Sequence, residues 1–201
     1  MPLYIQAGLW GLLGGSALLL GAAIAQFASL PQRAIAAVMA AGSGILISAV
    51  AFDLMDDAYA RGGFDSTSIG FLGGAAVYTA ANIYLSRRGA KHRKRSGSNP
   101  EQSQKNAAEG GGLSIAVGAL LDGIPESVVI GVSLLNGPGV SLVTVAAVFL
   151  SNVPEGLSSA AGMRKAGRPA AYIFGVWGTI ALLSGVAPSS ATWRSPAPTP
   201  S

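Results

Sequence analysis

The chain has 201 residues, half of them hydrophobic and 11% charged, with 28 Gly, 11 Pro and no Cys, and its mean hydropathy is positive. Soluble domains carry about 25% charged residues, so a water-soluble globule is disfavoured, and the lack of cysteine excludes disulfide scaffolds, thiolate metal sites and cysteine nucleophiles. The formal net charge is +4, but seven of the 13 Lys and Arg lie between Arg87 and Lys105, so the basic balance is local.

A helix needs about 20 apolar residues to cross a bilayer, and six windows approach or reach that length. The first, 9–27, carries Gly11 to Gly15, a small-x-x-x-small spacing that lets helices approach closely. Ala23-Ile24-Ala25 resembles a signal cleavage site. No Lys or Arg precedes Arg33, however, and the apolar run outlasts a usual signal core, so it is predicted to be retained. The second window, 34–54, ends around Asp53, with Asp56 and Asp57 following, and the third, 66–85, repeats the close-packing signal at Gly70 to Gly74.

Residues 86–112 are basic, then rich in Ser, Gln, Asn and Gly, and are predicted to be a disordered loop. His92, the one histidine, lies among cations that oppose a bound metal ion. The charge of this loop suits anionic lipid headgroups better than nucleic acid, since no aromatic residues interleave it. The fourth and fifth windows, 113–135 and 140–161, flank the tight turn Asn136-Gly137-Pro138-Gly139 and must run antiparallel. The sixth, 170–186, is the shortest. The Pro/Ser-rich stretch 188–201 has neither helical period nor apolar run and is predicted to be disordered. The expected organisation is thus an all-α, polytopic transmembrane bundle of about six helices over 1–187, with a cytoplasmic loop at 86–112 and a tail at 188–201.

Positive residues set the orientation. Arg33, the seven cations from Arg87 to Lys105, and Arg164, Lys165 and Arg168 share one side, against Arg61 and Arg194 on the other. The positive-inside rule places the N-terminus outside and the long loop in the cytoplasm. A plasma (inner) membrane is the expected location.

Carboxylates inside apolar windows mark functional sites by default, because each costs several kcal/mol in hydrocarbon. Asp53 and Asp57 sit near the outer end of the second window, where a solvated helix end also accounts for them. Asp122, Glu126 and Glu155 have no such outlet. Asp122-Gly123-Ile124-Pro125-Glu126-Ser127 and Ser151-Asn152-Val153-Pro154-Glu155-Gly156 share one design: a polar pair, an apolar residue, Pro-Glu and a small residue, 29 positions apart. Asp122 and Glu126, like Ser151 and Glu155, are four residues apart and share a helix face. Each proline removes a backbone donor and frees a carbonyl near Leu121 or Leu150. At membrane depth such carbonyls need protein, water or an ion. Facing each other, the two segments would form a cage of acidic and neutral oxygens, for which a divalent cation is the natural occupant.

These paired segments resemble the ZIP (Zrt/Irt-like) family of divalent-metal transporters, whose fourth and fifth helices carry His-Asn-x-Pro-Glu-Gly and His-Glu-x-Pro-Glu-Gly patterns. The segment Ala51-Phe52-Asp53-Leu54-Met55-Asp56-Asp57-Ala58 is similar to that family's second-helix ending. The resemblance spans 9 to about 186. It implies a binuclear centre with Glu126 and Glu155 bridging two ions. Asp122 and Ser151 would complete one ion site, Asn152 would contribute to the other, and Asp53 and Asp57 would lie near the outer entrance. Gly123 stands where the family has asparagine and offers no side chain. With both imidazoles replaced, the ligands are all oxygen, which shifts relative preference toward manganese or ferrous iron. The family grounds still rank zinc first.

The family has eight membrane helices against six windows here, so the sequence reads as a divergent, C-terminally truncated relative. The expected function is divalent metal transport into the cytoplasm, not catalysis. The metal ion is the substrate, and the expected partners are the lipid bilayer and a second copy of the chain in a homodimer, with no nucleic acid. The alternatives are a membrane metal-binding protein that does not transport, and a proton or organic-cation carrier using the same carboxylates. An intramembrane aspartyl protease is disfavoured because Asp122 lacks a Gly-x-Gly-Asp context.

Overall fold

A computed structural model describes residues 1–85, 87, 123, 125–134, 139–165 and 167–192. In chain order these form α1 (Leu3–Phe27), α2 (Gln32–Ala49), a π-helical turn (Val50–Leu54), α3 (Met55–Leu85), α4 (Pro125–Leu134), α5 (Leu142–Lys165) and α6 (Ala170–Thr192). The architecture is all-helical, with no strand among the described residues. Four stretches are long and apolar enough to cross a membrane: Leu3–Phe27, Gln32–Tyr84, Leu142–Lys165 and Ala170–Ser190.

The centre of the bundle is α1, which packs on both α5 and α6. Glycines make this possible. A Cβ at Gly21 would overlap the Val153 carbonyl, and one at Gly156 would overlap the Leu18 carbonyl, so α1 and α5 meet backbone to backbone. On the other face, Gly8 lies against Ser189, Gly11 against Ser184 and Pro188, and Gly15 against Ala181. These pairings show α1 running parallel to α5 and antiparallel to α6. Arg164 closes the far end of α1, donating from Nη1 to the Gln26 carbonyl at 3.0 Å, a cation placed at the negative end of the helix dipole.

Along α2, Lys165 Nζ meets Gln32 Oε1 at 3.2 Å, Gly42 meets Pro154, and Asp53 meets Thr144. α2 is therefore antiparallel to α5 over its whole length. Gly123 lies near Ile180 and Ser184, and Gly131 against Pro188, so α4 runs parallel to α6. Every described pairing fits the up-down alternation expected from the windows. One end of the bundle carries Arg33, Arg164, Lys165 and Arg168, and the other carries Asp53, Asp56 and Asp57. The larger core cluster, around Trp177, Leu18, Ile35, Leu157 and Ile173, fills the basic half. A smaller one, Ile130, Val145 and Val148, fills the acidic half.

The residues between the second and third windows, 55–65, are helical, and two expectations are corrected below. Asp57 and Arg61 pair four residues apart at 2.7 Å, supporting the turn. The chain turns only at Gly63 (φ 67°, ψ −177°), a conformation that an L side chain rarely adopts.

Gly70, Gly73 and Gly74 pack on nothing: no atom lies within 4 Å of a Cβ built there, and every residue from 69 to 80 is exposed. The predicted tail begins later than 188, since α6 runs on to Thr192 with Pro188 buried inside it. The expected loop at 86–112, apart from Arg87, the turn at 136–138 and the last nine residues lie outside the described residues.

Replacing Gly21 or Gly156 with Val forces two backbones apart. The expected loss is about 1–3 kcal/mol of stability, read as a lowered melting temperature in detergent. Gly44→Ala and Gly178→Ala, where nothing lies within 4 Å of an added Cβ, should leave melting unchanged or slightly raised.

Candidate cation site

Helical periodicity places Thr144, Val148, Ser151 and Glu155 of α5 on one stripe, at relative positions 0, 4, 7 and 11. Pro154 interrupts this helix from within. Having no N–H, it leaves the Leu150 carbonyl without its usual intrahelical donor. α2 comes closest at this place. A Cβ at Gly42 would stand 2.5 Å from Pro154 Cγ, 3.4 Å from Ser151 Cα and 3.5 Å from the Leu150 oxygen. Gly42 is thus the residue that lets α2 lie on the proline break.

The two polar residues before the break have distinct tasks. Asn152 is buried and donates from Nδ2 to the Gly14 carbonyl at 3.0 Å, tying α5 to α1. Its Oδ1 is the atom it can offer to an ion. Ser151, half-buried, donates to the Val148 carbonyl on its own helix at 2.9 Å and keeps its oxygen lone pairs. Glu155 is half-buried.

In α4, Pro125 opens the described stretch, and Gly123, two residues before it, is also helical. Ser127 Oγ donates to the Gly123 carbonyl at 2.7 Å. Glu126 is half-buried, with its Oε2 atom in the interior. Ile130 packs with Val145 and Val148. One turn toward the basic end, Glu126 on α4 therefore falls level with Ser151 and Asn152 on α5. Asp122 and Leu121 lie outside the described residues.

At the acidic end a second polar group forms around Asp53, on the π-helical turn. Its Oδ2 accepts from Ser141 Oγ at 3.0 Å and from Thr144 Oγ1 at 2.8 Å. Ser141 is also the N-cap of α5, its Oγ accepting from the Thr144 N–H at 3.2 Å. The Ser141 N–H in turn donates to Ser133 Oγ of α4 at 3.2 Å. The carboxylate thus sits at the positive end of the α5 dipole with two hydroxyl donors. Asp57 is apart from this group, paired with Arg61 on a half-exposed surface.

The site residues expected from sequence therefore fall into three places: Glu126, Ser151, Asn152 and Glu155 at mid-bundle, Asp53 at the acidic end, and Asp57 on the surface. Among the described residues, no three of His, Cys, Asp and Glu stand close enough together to hold a metal ion. The oxygen groups on this part of α4 and α5 are the Glu126 and Glu155 carboxylates, the Asn152 amide, the Ser151 hydroxyl and the Leu150 carbonyl. Ser141 and Thr144 were not among the expected residues. The one local signal for them is a Ser-x-x-Thr at a helix start, which reads as capping alone. No family model, curated protein or solved structure matches the chain.

The two polar neighbours on α5 can be told apart. Asn152→Ala removes the tie to Gly14 and is expected to lower stability by about 1 kcal/mol. Ser151→Ala breaks a bond within its own helix and should stay within about 0.5 kcal/mol of the parent. Thermal unfolding in detergent gives both values.

Proposed function

We propose that this chain is a multi-pass inner-membrane protein of ZIP-like type that carries divalent cations into the cytoplasm. Zinc ranks first as substrate, and manganese and ferrous iron also suit its oxygens. The observation that carries the reading is the pair of Pro-Glu segments. Glu126 on α4 and Ser151, Asn152 and Glu155 on α5 fall within about one helical turn of depth, beside a proline break. Glu155 lies in the middle of the long apolar α5, and an ionisable group there marks a functional site by default. The Glu126 and Glu155 carboxylates, with hydroxyl, amide and carbonyl oxygens, can replace part of a cation's hydration shell. They should do so weakly enough to release the ion, since transfer requires both entry and exit.

The orientation with the N-terminus outside rests on the basic end formed by Arg33, Arg164, Lys165 and Arg168, which the positive-inside rule assigns to the cytoplasm. The acidic end, with Asp53, Asp56 and Asp57, then faces the incoming cations. Ions would pass Asp53, lose water against the Glu126 and Glu155 level, and leave at the basic end.

Uptake of zinc, manganese and ferrous iron by cells expressing the chain tests this. Glu126→Gln and Glu155→Gln should each reduce uptake by at least about tenfold, the loss expected on removing a charged ligand from a buried site. Expression and membrane insertion should be unchanged. Uptake equal to the parent in both variants removes the Pro-Glu segments from the path. Metal binding without uptake in the parent would instead favour the non-transporting membrane protein.

A further inference from the structure

We infer that Asp53, Ser141 and Thr144 form the latch of an outer gate over the mid-bundle site, an inference that rests on the proposed cation path and names the residues that close it. Three observations converge on this assignment.

The first is how lightly α2 is held. Its buried residues are Ile35, Gly42 and Ala49, a single line spaced by seven. Beyond Gly42, where α2 rests on Pro154, Ala49 is the one buried residue before the π-helical turn. α3, which follows, is exposed along most of its length. By contrast, α1, α5 and α6 are locked together by glycine contacts. At the acidic end, the side-chain hydrogen bonds that tie the π-helical turn after α2 to α5, among the described residues, are those from Thr144 and Ser141 to Asp53 at 2.8 and 3.0 Å.

The second is where the latch stands. Thr144 lies on the same α5 stripe as Ser151 and Glu155, seven and eleven residues before them. At 1.5 Å rise per residue the latch sits about 10 Å above Ser151 and about 16 Å above Glu155. With Gly42 against Pro154 as the pivot, parting α2 from α5 at the latch opens the interhelical face from Thr144 down to Ser151, which lies beside the pivot.

The third is the backbone that carries Asp53. Val50–Leu54 is π-helical, and such turns recur at functional sites because they hold one extra residue in the turn. Relaxing it to α-helix rotates Asp53 by about 100° relative to α2, enough to take its carboxylate off the hydroxyls. In the latched state, Ser141 and Thr144 point protons at Oδ2, and that oxygen is not offered to a cation. Released, the carboxylate and both hydroxyl oxygens become ligands of the hard type that divalent ions take up. Closed latch and entry ligand are thus two states of the same three side chains.

The cysteine-free chain allows a direct test. Ser151→Cys supplies a single thiol beneath the latch, and its rate of reaction with a membrane-impermeant maleimide added from the Asp53 side reports opening. Adding Thr144→Val, which keeps shape and removes the donor, should raise that rate about tenfold, as expected for loss of a hydrogen bond to a charged group. Thr144→Ser should keep the slow parental rate.

Equal rates in the Val variant and the parent overturn the latch, as does fast labelling in the Ser variant. A thiol at Ala160→Cys, buried in the basic half, should label no faster with Thr144→Val. A parallel rise there marks general loosening and also overturns the gate. Labelling needs no metal flux, so the latch can fail while the uptake of the glutamate variants still supports the path, and the reverse.

Discussion

The bundle depends on how closely the backbone of α1 can approach two other helices at once. Lipid tails are as apolar as leucine, so in a bilayer burial of apolar surface does not bring helices together, and van der Waals contact and hydrogen bonds must do so. Glycine supplies that contact here. Gly8, Gly11 and Gly15 face α6 while Gly14 and Gly21 face toward α5 and α4, so one helix presents two smooth faces. Gly156 and Gly185 answer from the partners. The bond from Asn152 to the Gly14 carbonyl adds a directional tie within the same contact. At Gly21 and Gly156 an added side chain would meet backbone, which has no flexible group to yield.

The same rule governs the two proline-interrupted helices, with different consequences. Pro188 in α6 is enclosed, since Gly11 of α1 and Gly131 of α4 both press on it, and the Ser184 carbonyl that it frees lies against α1. That break is fixed on both sides. Pro154 in α5 meets Gly42 of α2, a helix with a single line of buried residues. Its freed carbonyl at Leu150 lies next to Ser151 and one turn from Glu155. One proline break is therefore built into the core, while the other borders a polar stripe and a helix with little else to hold it. Where a backbone carbonyl lacks its helical partner at membrane depth, something must satisfy it, and at Pro154 the neighbours are acidic and hydroxyl oxygens.

How far the sequence could be read follows from the reach of each signal. Apolar length located the helices because that property is local. The spacing at Gly11 to Gly15 and at Gly70 to Gly74 is alike, yet the first is buried between helices and the second faces open space. Small residues permit close approach, but only a neighbour can make it. The stretch after Leu54 is polar, yet helix runs through it, with Asp57 and Arg61 paired along one face and a kink at Gly63. Pro188 looked like a terminator because the glycines that enclose it are 177 and 57 residues away. The bonds from Ser141 and Thr144 to Asp53 cross 88 and 91 residues, and no local pattern foretells them. The candidate mid-bundle residues stand out in the sequence because a carboxylate in an apolar run is anomalous wherever it falls, and the repeated Pro-Glu makes the anomaly specific.

Donor chemistry then narrows what such a site can hold. The chain has no thiol, and its single histidine lies in the basic stretch after α3, so a ligand set drawn from α4 and α5 consists of oxygens alone. Oxygen ligands discriminate by ion size and charge more than by softness, and carboxylates mixed with neutral oxygens suit small divalent ions that keep part of their water. The charge layout acts in the same direction. Lys165 and Arg164 are held by the neutral oxygens of Gln32 and Gln26, so their positive charge is positioned without being cancelled. Asp53, by contrast, is stabilised by hydroxyl protons and a helix N-terminus. The bundle therefore keeps opposite charge at its two ends, Asp53, Asp56 and Asp57 at one and Arg33, Arg164, Lys165 and Arg168 at the other.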